Sequence, residues 1–142
     1  MNAEQIRVFL RAGRAVFTLQ SVSTGTHFTY RVRLADPEFN QRPALLVSVL
    51  TAPDTWTYMG MLEPVSVQRT RGSKVADDAP SFRALNWFLG RITRGDVPLS
   101  CVFRHEGRCG RCQRALTTPA SIDTGLGPYC AEELGVPHQT NQ

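Results

Sequence analysis

Four cysteines in the last third of the chain constrain its folding more than any other feature. Cys109 and Cys112 form a Cys-x-x-Cys pair, with Cys101 before it and Cys130 after it. This spacing presents two thiolates from one turn, as a tetrahedral metal site requires. In a reducing cytosol, clustered thiols are metal ligands more often than disulfides. We therefore predict that this segment folds around a metal ion.

Three ligands of this predicted site follow from spacing, and the fourth has two candidates. His105 and Cys101 share one face of the extended run CVFRH, so alternation does not separate them. We favour His105, which is nearer the pair, whereas Cys101 is spaced like a small buried hydrophobic residue. Three cysteines and one histidine close a structural site. We expect one structural Zn²⁺, held by His105, Cys109, Cys112 and Cys130.

Length and composition indicate one compact core with a small appendage. The chain has 142 residues, of which 42% are hydrophobic. It contains no run of roughly 18 apolar residues, and its first residues do not form a secretory signal, so we expect a soluble, cytoplasmic protein without a membrane partner. No HExxH, GxSxG or GxxxxGK motif occurs, and we therefore expect no enzymatic activity and no small-molecule substrate.

Hydrophobic periodicity in the first hundred residues predicts an α+β domain. Residues 3–12 have helical spacing, and a second helix is expected from Ser81, its N-cap, to Thr93. Alternating runs predict a twisted antiparallel sheet of four or five strands, and alternation gives the second strand one apolar and one basic face. The expected strands cover residues 15–22, 27–35, 44–50, 56–62 and an edge strand within 65–71. We predict an α+β domain (1–98), a zinc knuckle resembling a treble clef (99–136) and a flexible tail (137–142).

The positive charge of the chain is almost entirely arginine. Sixteen basic residues oppose 12 acidic ones, and Lys74 is the only lysine. Guanidinium groups bind phosphates with paired donors and stack on bases, which favours a nucleic-acid partner. Alternatively, the arginines of the cysteine segment pair with Asp123, Glu132 and Glu133 and only make it soluble. The candidate nucleic-acid contacts are Arg31, Arg33, Arg83, Trp87, Arg94, Arg104, Arg108, Arg111 and Arg114.

Trp87 has two interpretations. On the predicted second helix it lies opposite the apolar stripe, beside Arg83 and Arg94. An exposed tryptophan among arginines can stack on a base of a single strand. The alternative is that Trp87 is the apolar surface on which the metal segment packs.

The segment HEGRCGRCQRALTTPASIDTGLGPYC resembles the tail of a family of uncharacterised bacterial, plasmid and phage proteins. The family pattern is H-x-G-R-C-x-x-C-G-R-x-L-T-x-P-x-S-I-x-x-G-x-G-P-x-C, and Gln113 stands where the family usually has glycine. The resemblance implies zinc ligands at His105, Cys109, Cys112 and Cys130. Similar tails occur in some nucleic-acid-processing proteins. We thus expect a nucleic-acid-binding accessory protein of a mobile element or its bacterial host, or alternatively a module or inhibitor that binds a host protein.

Overall fold

A computed structural model describes residues 1–36 and 43–137. Most of the predicted break at 36–43, and the predicted tail after residue 137, lie outside these residues. The helices are α1 (Ala3–Leu10), α2 (Pro80–Thr93), α3 (Pro119–Thr124) and α4 (Pro128–Glu133). The strands are β1 (Arg14–Ser21), β2 (His27–Leu34), β3 (Leu45–Ala52), β4 (Thr55–Glu63), β5 (Ser66–Gln68) and β6 (Cys101–His105). No helix within the described ranges is long and apolar enough to cross a membrane.

The strands form one six-stranded antiparallel sheet in the order β5-β4-β3-β2-β1-β6. The predicted α+β class is confirmed, but the predicted number of strands, four or five, was too low. The sixth strand is the CVFRH run, which pairs with β1 from Phe17↔His105 to Ser21↔Cys101. Its alternating pattern was visible in the sequence, whereas its partner lies about 80 residues away, beyond the reach of local periodicity. The predicted boundary after residue 98 assigns β6 to the metal segment, although it is a strand of the sheet.

The helices α1 and α2 cover one face of the sheet, and the main core lies between them and the strands. Stacked rings join the layers: Phe17 stacks on Tyr30 with centroids 5.4 Å apart, and Phe103 stacks on Phe17 at 5.2 Å and on Phe88 of α2 at 5.7 Å. Each fully buried side chain of this size contributes about 1.5–3 kcal/mol. The predicted apolar stripe of α2 is buried. We call the sheet face away from α1 and α2 the outer face.

The start of α2 differs from the prediction. Ala79 occupies the N-cap without a side-chain hydrogen bond, and Pro80 is the first helical residue. Because the ring of proline fixes φ at a helical value, Pro80 can begin the helix one residue before Ser81. Ser81 is buried, and its carbonyl accepts a 2.7 Å hydrogen bond from the Tyr30 hydroxyl. The N-cap assigned to Ser81 was therefore wrong, and this residue instead ties α2 to β2.

The short strand β5 is fixed to α2 by one amide side chain. The Val67 N–H donates to Asn86 Oδ1 at 2.7 Å, and Asn86 Nδ2 donates to the Val67 carbonyl at 3.3 Å. After Gln68 the chain turns, with the Thr70 N–H donating to the Ser73 hydroxyl. The edge strand therefore ends before the predicted residue 71.

Candidate metal centre

The Cys-x-x-Cys pair lies in a tight turn that continues from β6. The Cys109 N–H donates to the Arg114 carbonyl at 2.8 Å, and the Gln113 N–H donates to the Cys109 carbonyl at 2.9 Å. Gln113 has a φ of +69°, which glycine adopts more readily than any L-residue. The Gln113 side-chain amide donates to the Arg14 carbonyl and so anchors the turn to β1.

Two short helices bring the third cysteine to this turn. Thr118 caps α3 by accepting a hydrogen bond from the Ser121 N–H, and Gly125 ends α3 with a φ of +70°. Pro128 then begins α4, so Cys130 lies in the first turn of this helix. A six-residue helix such as α3 is too short to show a reliable period, and it was not predicted.

The three cysteines Cys109, Cys112 and Cys130 converge. Their Sγ atoms all lie within 4.8 Å of one another, with Cys109 and Cys130 buried and Cys112 exposed. Three thiols placed this way fit a soft or borderline metal ion, because such ions prefer sulphur ligands. The prediction that these three residues could hold a metal ion is confirmed.

The pKa values of the two buried thiols move in opposite directions. Burial raises the pKa of Cys130 to about 11, and its hydrogen bond with Cys109 adds to the rise. Burial also opposes ionisation of Cys109, but hydrogen bonds from the Gly127, Cys112 and Arg111 N–H groups outweigh it and lower the pKa of Cys109 to about 7. Cys109 is therefore the thiol prepared to bind a metal near neutral pH.

The predicted fourth ligand, His105, lies outside the cysteine group. Its Nδ1 accepts a hydrogen bond from the Gly107 N–H at 2.9 Å, and its Nε2 lies 2.8 Å from the Ile122 carbonyl, to which it can only donate. The imidazole also contacts the Phe9 ring, with centroids 5.6 Å apart. In this arrangement both ring nitrogens bond to the backbone and His105 joins β6 to α3, so its assignment as a ligand stays a prediction.

The alternative ligand, Cys101, also lies outside the group. It pairs with Ser21 at the far end of β6 and packs against the main core. Burial raises the pKa of the Cys101 thiol. Neither upstream candidate completes the metal site in this arrangement.

Residues 106–136, which we call the metal module, pack on α1. A small second core of the module, including Cys109 and Leu126, contacts Val8 and Ala12. The Phe9 ring lies directly against Gly110 and Gly125. The alternative that Trp87 forms the packing surface was therefore wrong: α1 provides it, and Trp87 is 45% exposed.

Three of the predicted nucleic-acid contacts lie on the outer face of the sheet. The side chains of Tyr30 and Phe103 point towards the helices. Because neighbouring side chains of a strand point to opposite faces, Arg31 and Arg104 point away from the helices. Arg33 follows Arg31 on the same face. Arg33 and Arg104 are exposed, and Arg31 is half-buried.

The other predicted contacts lie elsewhere. Arg83, Trp87 and Arg94 are exposed on α2, on the other side of the sheet, and the guanidinium of Arg91 lies 5.5 Å from the Trp87 ring centroid. In the metal module, Arg108 and Arg114 are exposed and Arg111 is half-buried. The ion pairs that the structure describes, Arg7 with Glu4 and Arg91 with Asp96, involve none of the module's arginines. The nine predicted contacts thus lie on three surfaces.

Two residues of the outer face were missed by sequence reasoning. Arg14 lies directly opposite Arg33 in the register of β1 and β2. Trp56 of β4 lies under Arg31, whose guanidinium is 4.7 Å from the ring centroid. Arg14 immediately precedes the predicted strand 15–22, and the observed β1 begins at this residue. No local signal connects Trp56 with Arg31.

The region of the chain that matches a known family largely coincides with the metal module. None of the curated proteins and none of the solved structures compared with the chain matches it. The model of a family of unknown function, DUF6011, matches residues 102–135, from β6 to the end of α4. This segment of the chain, which contains the three converging cysteines, is therefore similar to an uncharacterised family.

Proposed function

We propose that this protein binds nucleic acid through the outer face of its sheet, and that Zn²⁺ holds its metal module together. A Cys-x-x-Cys turn with a third thiolate on a following helix supplies three ligands of the kind that bind zinc in proteins. In this role the metal fixes the module against α1 and β1. The module in turn supports the edge of the sheet on which the proposed interface lies.

The main support for nucleic-acid binding is the positive charge of the outer face. The strands β1, β2, β3 and β6 contain no aspartate or glutamate, whereas Arg14, Arg31, Arg33 and Arg104 lie on their outer face. Four positive charges on these strands equal the formal net charge of the whole chain, +4. A phosphate backbone is the common ligand of such a surface, because its affinity comes largely from release of bound counterions.

Two of these arginines oppose each other at a cost in stability. Arg14 and Arg33 are directly opposite across the β1–β2 pair, and like charges in that position destabilise a sheet. The charge of Arg33 also contributes, after burial, to lowering the pKa of Arg31. An anionic ligand bound between these groups would remove the repulsion, so binding should stabilise the sheet.

The pair of Arg31 and Trp56 favours a single strand over a duplex. The guanidinium lies over the indole ring, and Arg31 Nε is buried without a hydrogen-bond partner among the described residues. Unpaired bases stack on aromatic rings and guanidinium planes, whereas the bases of a duplex are already stacked. A phosphate or base edge would supply the acceptor that Arg31 Nε lacks.

The binding test uses Trp56 as its reporter. Trp87 is the second tryptophan of the chain, so a Trp87→Phe variant leaves Trp56 as the only indole. Titration of zinc-loaded protein with a fluorescein-labelled oligothymidine and with a duplex should give anisotropy changes at low salt. The single strand should bind more tightly and should quench Trp56.

Matched variants separate this face from the rest of the surface. Replacing Arg14, Arg31 and Arg33 by glutamine should weaken binding and reduce the slope of log affinity against log salt by about 2, since each phosphate contributes about 0.7 on a single strand. The double variant Arg83→Gln, Arg94→Gln on α2 should bind like the parent. Equal losses in both variants, or no salt-sensitive binding by the folded parent, would refute the proposal and favour a protein partner.

A further inference from the structure

A groove opens beside the three cysteines on the metal module. Its walls include Arg111, Arg114, Leu116, Thr118 and Tyr129, and it has a volume of about 810 Å³. Pockets of roughly 300–1,000 Å³ are large enough for a small molecule or a partner's side chain. The groove belongs to the module and is separate from the outer face of the sheet.

The groove lies on the side of the cysteine group that faces solvent. Cys112 and Cys130 line it, and Cys112 is exposed whereas Cys109 is buried. Apart from these cysteines, the residues that line the groove include no histidine, aspartate or glutamate. A metal held by the three thiolates would therefore find no further protein ligand of the usual types on this side in the described structure.

Among residues 1–36 and 43–137, three other residues are candidates to close the site, and the structure places each of them elsewhere. His105 uses both ring nitrogens for backbone hydrogen bonds, and Cys101 lies in β6. Glu133 follows Cys130 by one helical turn, but its carboxylate interacts with the Tyr129 hydroxyl and is not part of the cysteine group.

We propose that the metal bound by Cys109, Cys112 and Cys130 keeps its fourth coordination position open to this groove, where it holds an exchangeable small ligand, either water or an anion. Tetrahedral zinc sites with three protein ligands bind water or substrate in the fourth position. This inference rests on the metal-binding part of the proposed function and is independent of the nucleic-acid part.

Charge in the groove favours an anion. A divalent ion and three thiolates carry one net negative charge. Arg111 and Arg114 line the groove and place two positive charges along it. A small anion that displaces water would therefore meet positive charge on the groove side of the metal.

Cobalt substitution and azide test this proposal on the full chain. Native mass spectrometry first establishes one metal per chain, and a protein that binds no metal would overturn both the proposed metal and the open position. Azide should then shift the visible absorption bands of the Co²⁺ protein with a saturable dependence. Arg114→Gln should weaken azide binding roughly two- to fivefold, the range of one partly exposed charge pair. Arg83→Gln, an exposed arginine on α2, should leave azide binding unchanged.

X-ray absorption of the zinc-loaded protein distinguishes an open position from a closed one. We expect three sulphur ligands and one oxygen or nitrogen ligand without the outer-shell scattering of imidazole. Imidazole scattering would identify a histidine as the fourth ligand, and four sulphurs would identify Cys101, the fourth cysteine of the chain. A Co²⁺ spectrum that changes in Glu133→Gln and does not respond to azide would identify Glu133. Each of these three results would overturn the proposed open position. The proposed nucleic-acid interface on the outer face is tested separately, by the nucleic-acid titration.

Discussion

Substituting Gly125 by alanine should destabilise the protein through two separable effects. Gly125 has a φ of +70°, and an L-residue there costs about 1–2 kcal/mol. An added Cβ would also lie 2.4 Å from Phe9 Cδ1 and 3.0 Å from Phe9 Cε1. Overpacking of this kind costs about 1–3 kcal/mol. We expect a total loss of about 2–5 kcal/mol in the free energy of unfolding, measured by urea denaturation of the metal-loaded protein.

Gly135 provides a matched control for the backbone effect. Its φ is +69°, and an added Cβ would meet no atom within 4 Å. Gly135→Ala should therefore lose only the 1–2 kcal/mol of the backbone cost. The difference between the two variants measures the overlap with the Phe9 ring.

A double-mutant cycle identifies the residue responsible for that overlap. Phe9→Leu removes the ring that meets the added Cβ, so Gly125→Ala should cost about 1–3 kcal/mol less in the Phe9→Leu background. Equal destabilisation by Gly125→Ala and Gly135→Ala, or additive effects of Phe9→Leu and Gly125→Ala, would refute the close packing of the metal module on α1.

Three further predictions concern the metal and the sheet edge. Because a metal binds thiolates, Cys130 with its pKa of about 11 must lose a proton on binding at neutral pH, and Cys109 must lose another below its pKa of about 7. Zinc affinity, measured by competition with a chelating indicator, should therefore rise at least about tenfold per pH unit from 7 to 9 and more steeply from 5 to 7. An affinity that does not change with pH would contradict this prediction. Removing the metal with a chelator should remove amide-exchange protection from residues 106–136 while β2 and β3 keep theirs, because the module's own core is small. Simultaneous loss of protection throughout the chain would show that the module is not a separate unit. Asn86→Ala should lower the free energy of unfolding by about 1–3 kcal/mol, because the half-buried Val67 N–H and carbonyl lose their partner, and an unchanged denaturation midpoint would argue against both hydrogen bonds.

The elements with strong local periodicity were predictable from the sequence. The β1–β2 hairpin and the apolar stripe of α2 alternate or recur over enough residues for the pattern to specify one buried face. The cysteine group was predictable for a different reason: Cys-x-x-Cys spacing is a covalent constraint that does not depend on the rest of the fold.

The parts that were missed depend on contacts between distant residues. The same alternation places Cys101 and His105 on one face, but it does not reveal that the imidazole of His105 contacts the Phe9 ring and hydrogen-bonds the Ile122 carbonyl. The pairing of β6 with β1 and the contact between Arg31 and Trp56 likewise arise only when the sheet is assembled. Proximity in sequence therefore did not indicate where the imidazole of His105 lies, and its role as a ligand stays a prediction.

The amide of Asn86 has a consequence for how this protein behaves at high concentration. An exposed edge strand is a template for intermolecular β-pairing, and natural proteins protect such edges with short strands or covering groups. β5 has three residues, and Asn86 bonds both the N–H and the carbonyl of its central residue, Val67, as a neighbouring strand would. One side chain from α2 thus occupies the backbone groups of Val67 that a strand of a second molecule would bind, which disfavours fibrillar aggregation through this edge.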